Sequence, residues 1–150
     1  MDNGTIKEKL RQTTASILEN AAFIFIDDDD TIVSCDKFSF TGVTISFTGP
    51  SSGRMNLWMV KETIDVIARN LLGMDDDEDV SPIQRYDALK EILNMIAGNL
   101  LTSLFDEKLI FNLDVPYLLD QSITPDFADE NTIILCSEMI PIILSFTMIN

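Results

Sequence analysis

Apolar residues along the chain follow two rhythms. A three- and four-residue spacing runs first through Ile6, Leu10, Thr14, Ile17, Leu18 and Ala21, the edge of an amphipathic helix. Thr5 is the expected N-cap, with Glu8 three residues on completing a capping box. Residues 23–26, Phe-Ile-Phe-Ile, read as the helix exit or a short strand. From residue 32 to 60 the text is β, and over 38–48 apolar and small polar side chains alternate as in a half-buried strand. Gly-Pro-Ser-Ser-Gly at 49–53 is a hairpin loop, and 55–60 returns as the partner strand. Helical spacing resumes over 62–72, with Ile64, Ile67, Ala68, Leu71 and Leu72 as the buried stripe and Gly73 as the C-cap. Ser81 caps the longest helix, Pro82 takes its first position, and the pattern holds to about residue 105. Strands are expected over 109–116, 132–138 and 142–149, with a polar turn at 124–131. Pro116 and Pro141 must lie at strand ends, bulges or edges, since neither can donate to a ladder.

This order predicts an α+β fold, an antiparallel β-sheet with amphipathic helices packed on one face. Residues 1–150 suit a single domain, large enough to bury a core without staples. The two halves are alike in outline, each giving a helix and then antiparallel strands.

The longest helix has two incompatible faces. Leu89, Ile92, Leu93, Ile96, Ala97, Leu100, Leu101 and Leu104 form an apolar seam. At about 100° per residue, Asp87, Glu91, Asn94 and Gly98 fall on the other side within an arc of roughly 60°. A glycine inside a helix costs about 1 kcal/mol against alanine, and close approach of a partner is a reason to keep one. This face is the candidate site.

Composition narrows the chemistry. The formal net charge of −15 offers no basic patch for phosphate backbones and disfavours anionic membranes, so neither nucleic acid nor membrane is an expected partner. Histidine is absent, which removes Ser-His-Asp and Cys-His catalysis and His-ligated zinc. Cys35 and Cys136 lie outside any CxxC spacing and read as reduced structural thiols. The N-terminus is polar and periodic, unlike a signal peptide, and Glu138 and Pro141 break the apolar run at 132–149 into two strands rather than a membrane span. A cytoplasmic protein is expected. The acidic runs 27–30 and 75–79 lack the alternation, central glycine and final glutamate of a calcium loop, so both read as solvated turns and no metal site is expected. Gly49 and Gly53 join two strands and lack the Gly-Lys-Ser/Thr ending of a phosphate loop.

Glu91-Ile-Leu-Asn94-Met-Ile-Ala-Gly98-Asn99 resembles the signature of the CheC/CheX/FliY chemotaxis phosphatases: Asp or Ser, three residues, Glu, two residues, Asn, then Pro a little over twenty residues later. Asp87, Glu91, Asn94 and Pro116 fit that pattern, and the resemblance covers the chain from about residue 5 onward. CheC-like members carry two such helices. Here the first helix has Glu8-x-x-Arg11 and the second Glu62-x-x-Asp65, so the single site resembles CheX, whose relatives form dimers through their sheets.

The resemblance implies hydrolysis of the aspartyl phosphate of a CheY-type response regulator by a positioned water. Asn94 would orient that water, and Glu91 would pair with the regulator's active-site lysine. Gly98 would leave room for the partner's backbone, and Asp87 would orient Glu91's partner or lie in solvent. No cofactor of the chain's own is implied, because the regulator brings its Mg²⁺. The alternative from the same fold is a non-catalytic module, as in flagellar switch proteins, that binds the regulator without hydrolysing it.

Overall fold

The computed structural model describes residues 2–27 and 34–149. Three helices, α1 (Asn3–Ala22), α2 (Lys61–Leu72) and α3 (Pro82–Leu104), cover one face of an antiparallel sheet. Its strands are β1 (Phe40–Thr48), β2 (Ser52–Val60), β3 (Asn112–Leu113), β4 (Tyr117–Leu118), β5 (Thr132–Ser137) and β6 (Ile140–Ile149). Their order is β3-β1-β2-β6-β5, with β4 also pairing to β1. The two hairpins, β1–β2 and β5–β6, meet through their second strands, Met55 opposite Phe146. Each half thus contributes one hairpin to the sheet, β1–β2 after α1 and β5–β6 later in the chain after α3.

The core lies between helices and sheet. Val43, Ile45, Phe47, Met55, Leu57 and Met59 point into it from the first hairpin, and Leu135, Ile142, Leu144 and Phe146 from the second. The alternation that predicted β1 and β2 is thus the alternation of core and back face. On the back face Trp58 is buried against bare backbone, since a Cβ on Gly42 would come within 2.6 Å of its Nε1.

Several expectations are corrected. Asp2, not Thr5, caps α1: its Oδ1 accepts from the Thr5 N–H at 2.7 Å, while Glu8 accepts from Gln12 one turn on. An aspartate is a good cap, and starting earlier adds helical hydrogen bonds at no cost in packing. Ile17 and Ala21 are half-buried, and Ala22 takes the fully buried place. The β text does not begin as strand: Cys35–Lys37 is a 3-10 turn, β1 starts at Phe40, and residues 32 and 33 lie outside the described residues. Leu71 is half-buried and Leu72 is 54% exposed, because α2 ends there at Gly73, whose φ of 67° turns the chain away. The strand expected at 109–116 is two short pieces with 114–116 standing out between them, since Pro116 cannot donate to β1. Pro141 is the second residue of β6, at the strand end as required.

Asp27, expected in a solvated turn, instead stabilises the β5–β6 turn. Glu138 and Met139 have φ of 52° and 67°, a conformation that β-hairpins usually give to Asn-Gly. The Asp27 carboxylate accepts from both of their backbone N–H groups, at 3.3 and 3.2 Å, and offsets the strain. Residues 28–30, the rest of that acidic run, lie outside the described residues.

Candidate functional site

The site is built on α3. Ser81 Oγ accepts from the Gln84 N–H at 3.2 Å while Gln84 Oε1 accepts from the Ser81 N–H at 3.0 Å, a complete capping box with Pro82 at the first turn. All eight residues of the predicted apolar seam are buried. Arg85 fixes the rotation of the first turns: its Nε donates to Asp65 Oδ1 on α2 at 2.6 Å and an Nη to the Val80 carbonyl at 3.2 Å. Burial raises the Asp65 carboxyl, but hydrogen bonds from Arg85 and Lys61 outweigh it and hold the pKa below the usual carboxylate value. With the seam inward, Asp87 and Glu91 are exposed and Asn94 and Gly98 half-buried.

The opposite wall comes from the segment between β3 and β4. Asp114 N–H donates to the Ser46 carbonyl at 2.9 Å and Leu119 N–H to the Gly42 carbonyl at 2.9 Å, so both ends are fastened to the edge of β1. From the back face, Arg54 Nη1 donates to the Tyr117 hydroxyl at 2.9 Å and to Thr44 Oγ1 at 3.1 Å, securing the residue after Pro116. The excursion at 114–116 then lies against α3 and closes an open groove of about 470 Å³. Asp87, Glu91 and Asn94 line one side of it, Val115 and Pro116 the other.

Three of the four predicted site residues and the predicted proline thus share one groove. Gly98 does not. It lines a smaller neighbouring hollow with Leu109 and Phe111, joined to the groove through Leu113, which borders both. Among the described residues, the Glu91 carboxylate and the Asn94 amide have no hydrogen-bond or ionic partner in the chain. Asp87 is engaged, at 3.6 Å from Lys90 Nζ.

Sequence reasoning missed Lys90, Asp114, Val115 and Leu72. Lys90 supplies the groove's cation, and its position three residues after Asp87 on one helix face was the available signal. Val115 is 83% exposed beside Pro116, and Leu72 borders a second hollow with Asp87, Ala88 and Glu91. No local pattern marks either. Burial lifts the thiols of Cys35 and Cys136 above the usual thiol range, with help from Asp36 and Asp27 respectively, so neither is a ready nucleophile at neutral pH. Among the described residues no group of three potential metal ligands comes together, and no helix is long and apolar enough to cross a membrane. What this groove offers chemically is an amide and a carboxylate, one helical turn apart, both ready to engage a second molecule.

Comparison with known proteins points the same way. The family model described as chemotaxis phosphatase CheX matches residues 41–127. No curated protein sequence matches the chain significantly. Among solved structures, the chemotaxis protein CheX from Vibrio vulnificus aligns with a TM-score of 0.72 at 16% identity, covering 99% of each chain. CheX from Desulfovibrio desulfuricans gives 0.70 at 18% identity, covering 97% of this chain and 99% of that one. The CheX-CheY-BeF3-Mg complex from Borrelia burgdorferi gives 0.67 at 19% identity, covering 96% of this chain and 97% of that one. At these identities the structural likeness is one of fold.

Proposed function

The chain belongs to the chemotaxis phosphatase CheX family, and on that premise we propose that it hydrolyses the aspartyl phosphate of a CheY-type response regulator by holding a water in line with the phosphorus. The observation that carries this reading is the unengaged pair, Glu91 and Asn94, in the groove walled by Pro116. The Borrelia complex, which joins a CheX to CheY, BeF3 and Mg²⁺, supports the class of partner.

Phosphoryl transfer to water asks little covalent chemistry of the protein; it needs alignment and charge neutralisation. The Asn94 carbonyl oxygen accepts from the attacking water while its NH₂ donates to a phosphoryl oxygen, fixing the line of attack. As the water oxygen bonds to phosphorus, the bond to the regulator's aspartate oxygen breaks. The aspartate leaves as a carboxylate, and the water's protons remain with phosphate and solvent. Glu91, one turn earlier, pairs with the regulator's active-site lysine and seats α3 over the phosphoryl group. The regulator supplies Mg²⁺ for charge neutralisation, and the chain contributes no cofactor.

A homodimer and a cytoplasmic setting belong to the same proposal. Light scattering at micromolar concentration tests the dimer.

The test of the activity is the decay of a phosphorylated CheY-type protein from the same cell. Catalytic amounts of the chain should shorten it, and Asn94→Ala should remove on the order of a hundredfold of the acceleration while still binding. Glu91→Ala should weaken binding. If every regulator decays at its own rate yet one binds, the non-catalytic module replaces the enzyme.

A further inference from the structure

Away from the α3 groove, a second cleft of about 380 Å³ opens between the end of α1, the start of α2 and the β5–β6 turn. Its lining mixes exposed apolar side chains with polar ones: Phe23 is 68% and Phe25 61% accessible, Val66 on α2 also faces it, and Asp27, Thr63 and Ser137 line the rest with two glutamates.

The backbone adds an independent observation. The described residues include three non-glycine residues with positive φ, namely Phe23, Glu138 and Met139. Phe23 and Glu138 line the cleft, and Met139 is next in the turn. Phe23 occupies the left-handed position that closes α1, where glycine is the usual residue. A bulky side chain is held there under strain, and most of it stays exposed. The fold alone would be better served by glycine, so the ring has another use.

Charge says what that use is. Glu62 and Glu138 stand at the rim without a cationic partner among the described residues, and no lysine or arginine lines the cleft. Lys61, the nearest cation in sequence, is committed to Asp65 at 3.0 Å. A second copy docked here through the same cleft would bring these carboxylates face to face. A basic partner gains where a second copy repels.

We propose that the cleft of Phe23, Phe25 and Val66 binds a short basic segment of a partner protein, its apolar side chains seated on the two rings and its lysines or arginines against Glu62 and Glu138. This site is separate from the α3 groove and does not depend on the phosphatase activity.

The probes are two pools of short synthetic peptides with Leu, Ile or Phe at the centre, one flanked by Lys and Arg, the other by Glu, titrated by fluorescence anisotropy. The basic pool should bind and the acidic pool should not, with affinity falling as salt rises. Phe25→Ser should weaken binding by roughly tenfold, and Glu62→Lys with Glu138→Lys should abolish the preference for basic peptides. Phe23→Gly should lose binding while thermal stability holds or rises, an outcome that a purely structural role for the ring does not allow. Equal binding of the two pools, or binding indifferent to Phe25→Ser, overturns the proposal. So does a concentration-dependent dimer that Phe25→Ser dissolves, which would give the face to a second copy.

Discussion

Thr14 lies midway along α1 at zero exposure, in a line of side chains that is otherwise apolar, and its hydroxyl has no hydrogen-bond partner among the described residues. A buried polar group left unsatisfied costs about 1–3 kcal/mol, and valine keeps the shape while removing the oxygen. Thr14→Val should therefore raise stability by about 1 kcal/mol, read as a higher denaturation midpoint at unchanged m-value. Gly98 offers a second residue-scale test. A Cβ there would meet Leu113 Cδ1 at 3.8 Å, an ordinary contact, so packing does not require the glycine. Gly98→Ala should stabilise α3 by about 1 kcal/mol. If the bare backbone serves the partner's approach, the same variant will dephosphorylate the regulator more slowly; unchanged kinetics would remove Gly98 from the docking face.

At the scale of elements, the site depends on how α3 is held. The Asp65–Arg85 ion pair ties its first turn to α2, with both side chains nearly buried. Asp65→Ala would strand the Arg85 charge and should cost about 3 kcal/mol. The same pair sets an acid limit. A carboxyl whose folded pKa lies below its unfolded value, as here, adds stability that is complete above the unfolded value and is lost as pH falls through the folded one. Thermal melts should lose stability below about pH 4, and Asp65→Ala should flatten that part of the profile. The other wall depends on the break between β3 and β4. A single unbroken strand would have kept 114–116 flat against β1, and the groove would have no second side.

For the molecule as a whole, net charge governs how the partner is met. On the proposed function, a chain of −15 would present Asp87, Glu91 and Asp114 around one Lys90 to an anionic phosphoryl group. The proposed regulator's Mg²⁺ and lysine would act at contact, while the repulsion would act over distances comparable to the Debye length, about 10 Å at 0.1 M salt. Turnover at subsaturating regulator should accordingly rise as salt increases from low to physiological levels, measured as the dephosphorylation rate against KCl concentration. A steep fall with salt would mean that attraction steers docking, and that the docking surface lies elsewhere.

The chain by itself determined the helices, the two hairpins, both faces of α3, and the Ser81 and Gly73 caps. These features are written within a few residues: helical and strand periodicity sorts side chains locally, and a cap answers to the N–H groups of its own first turn. That Glu91 and Asn94 are neighbours on one helix face was legible for the same reason. Tertiary structure alone decided that Pro116 stands across from Asn94, that Leu72 faces out beside Glu91, and that Asp27 supports a turn 111 residues away. It also opened the cleft at Phe23. Such relations depend on strand register and on where two helix ends meet, and no spacing along the sequence encodes the distance between segments that approach only when the sheet has formed.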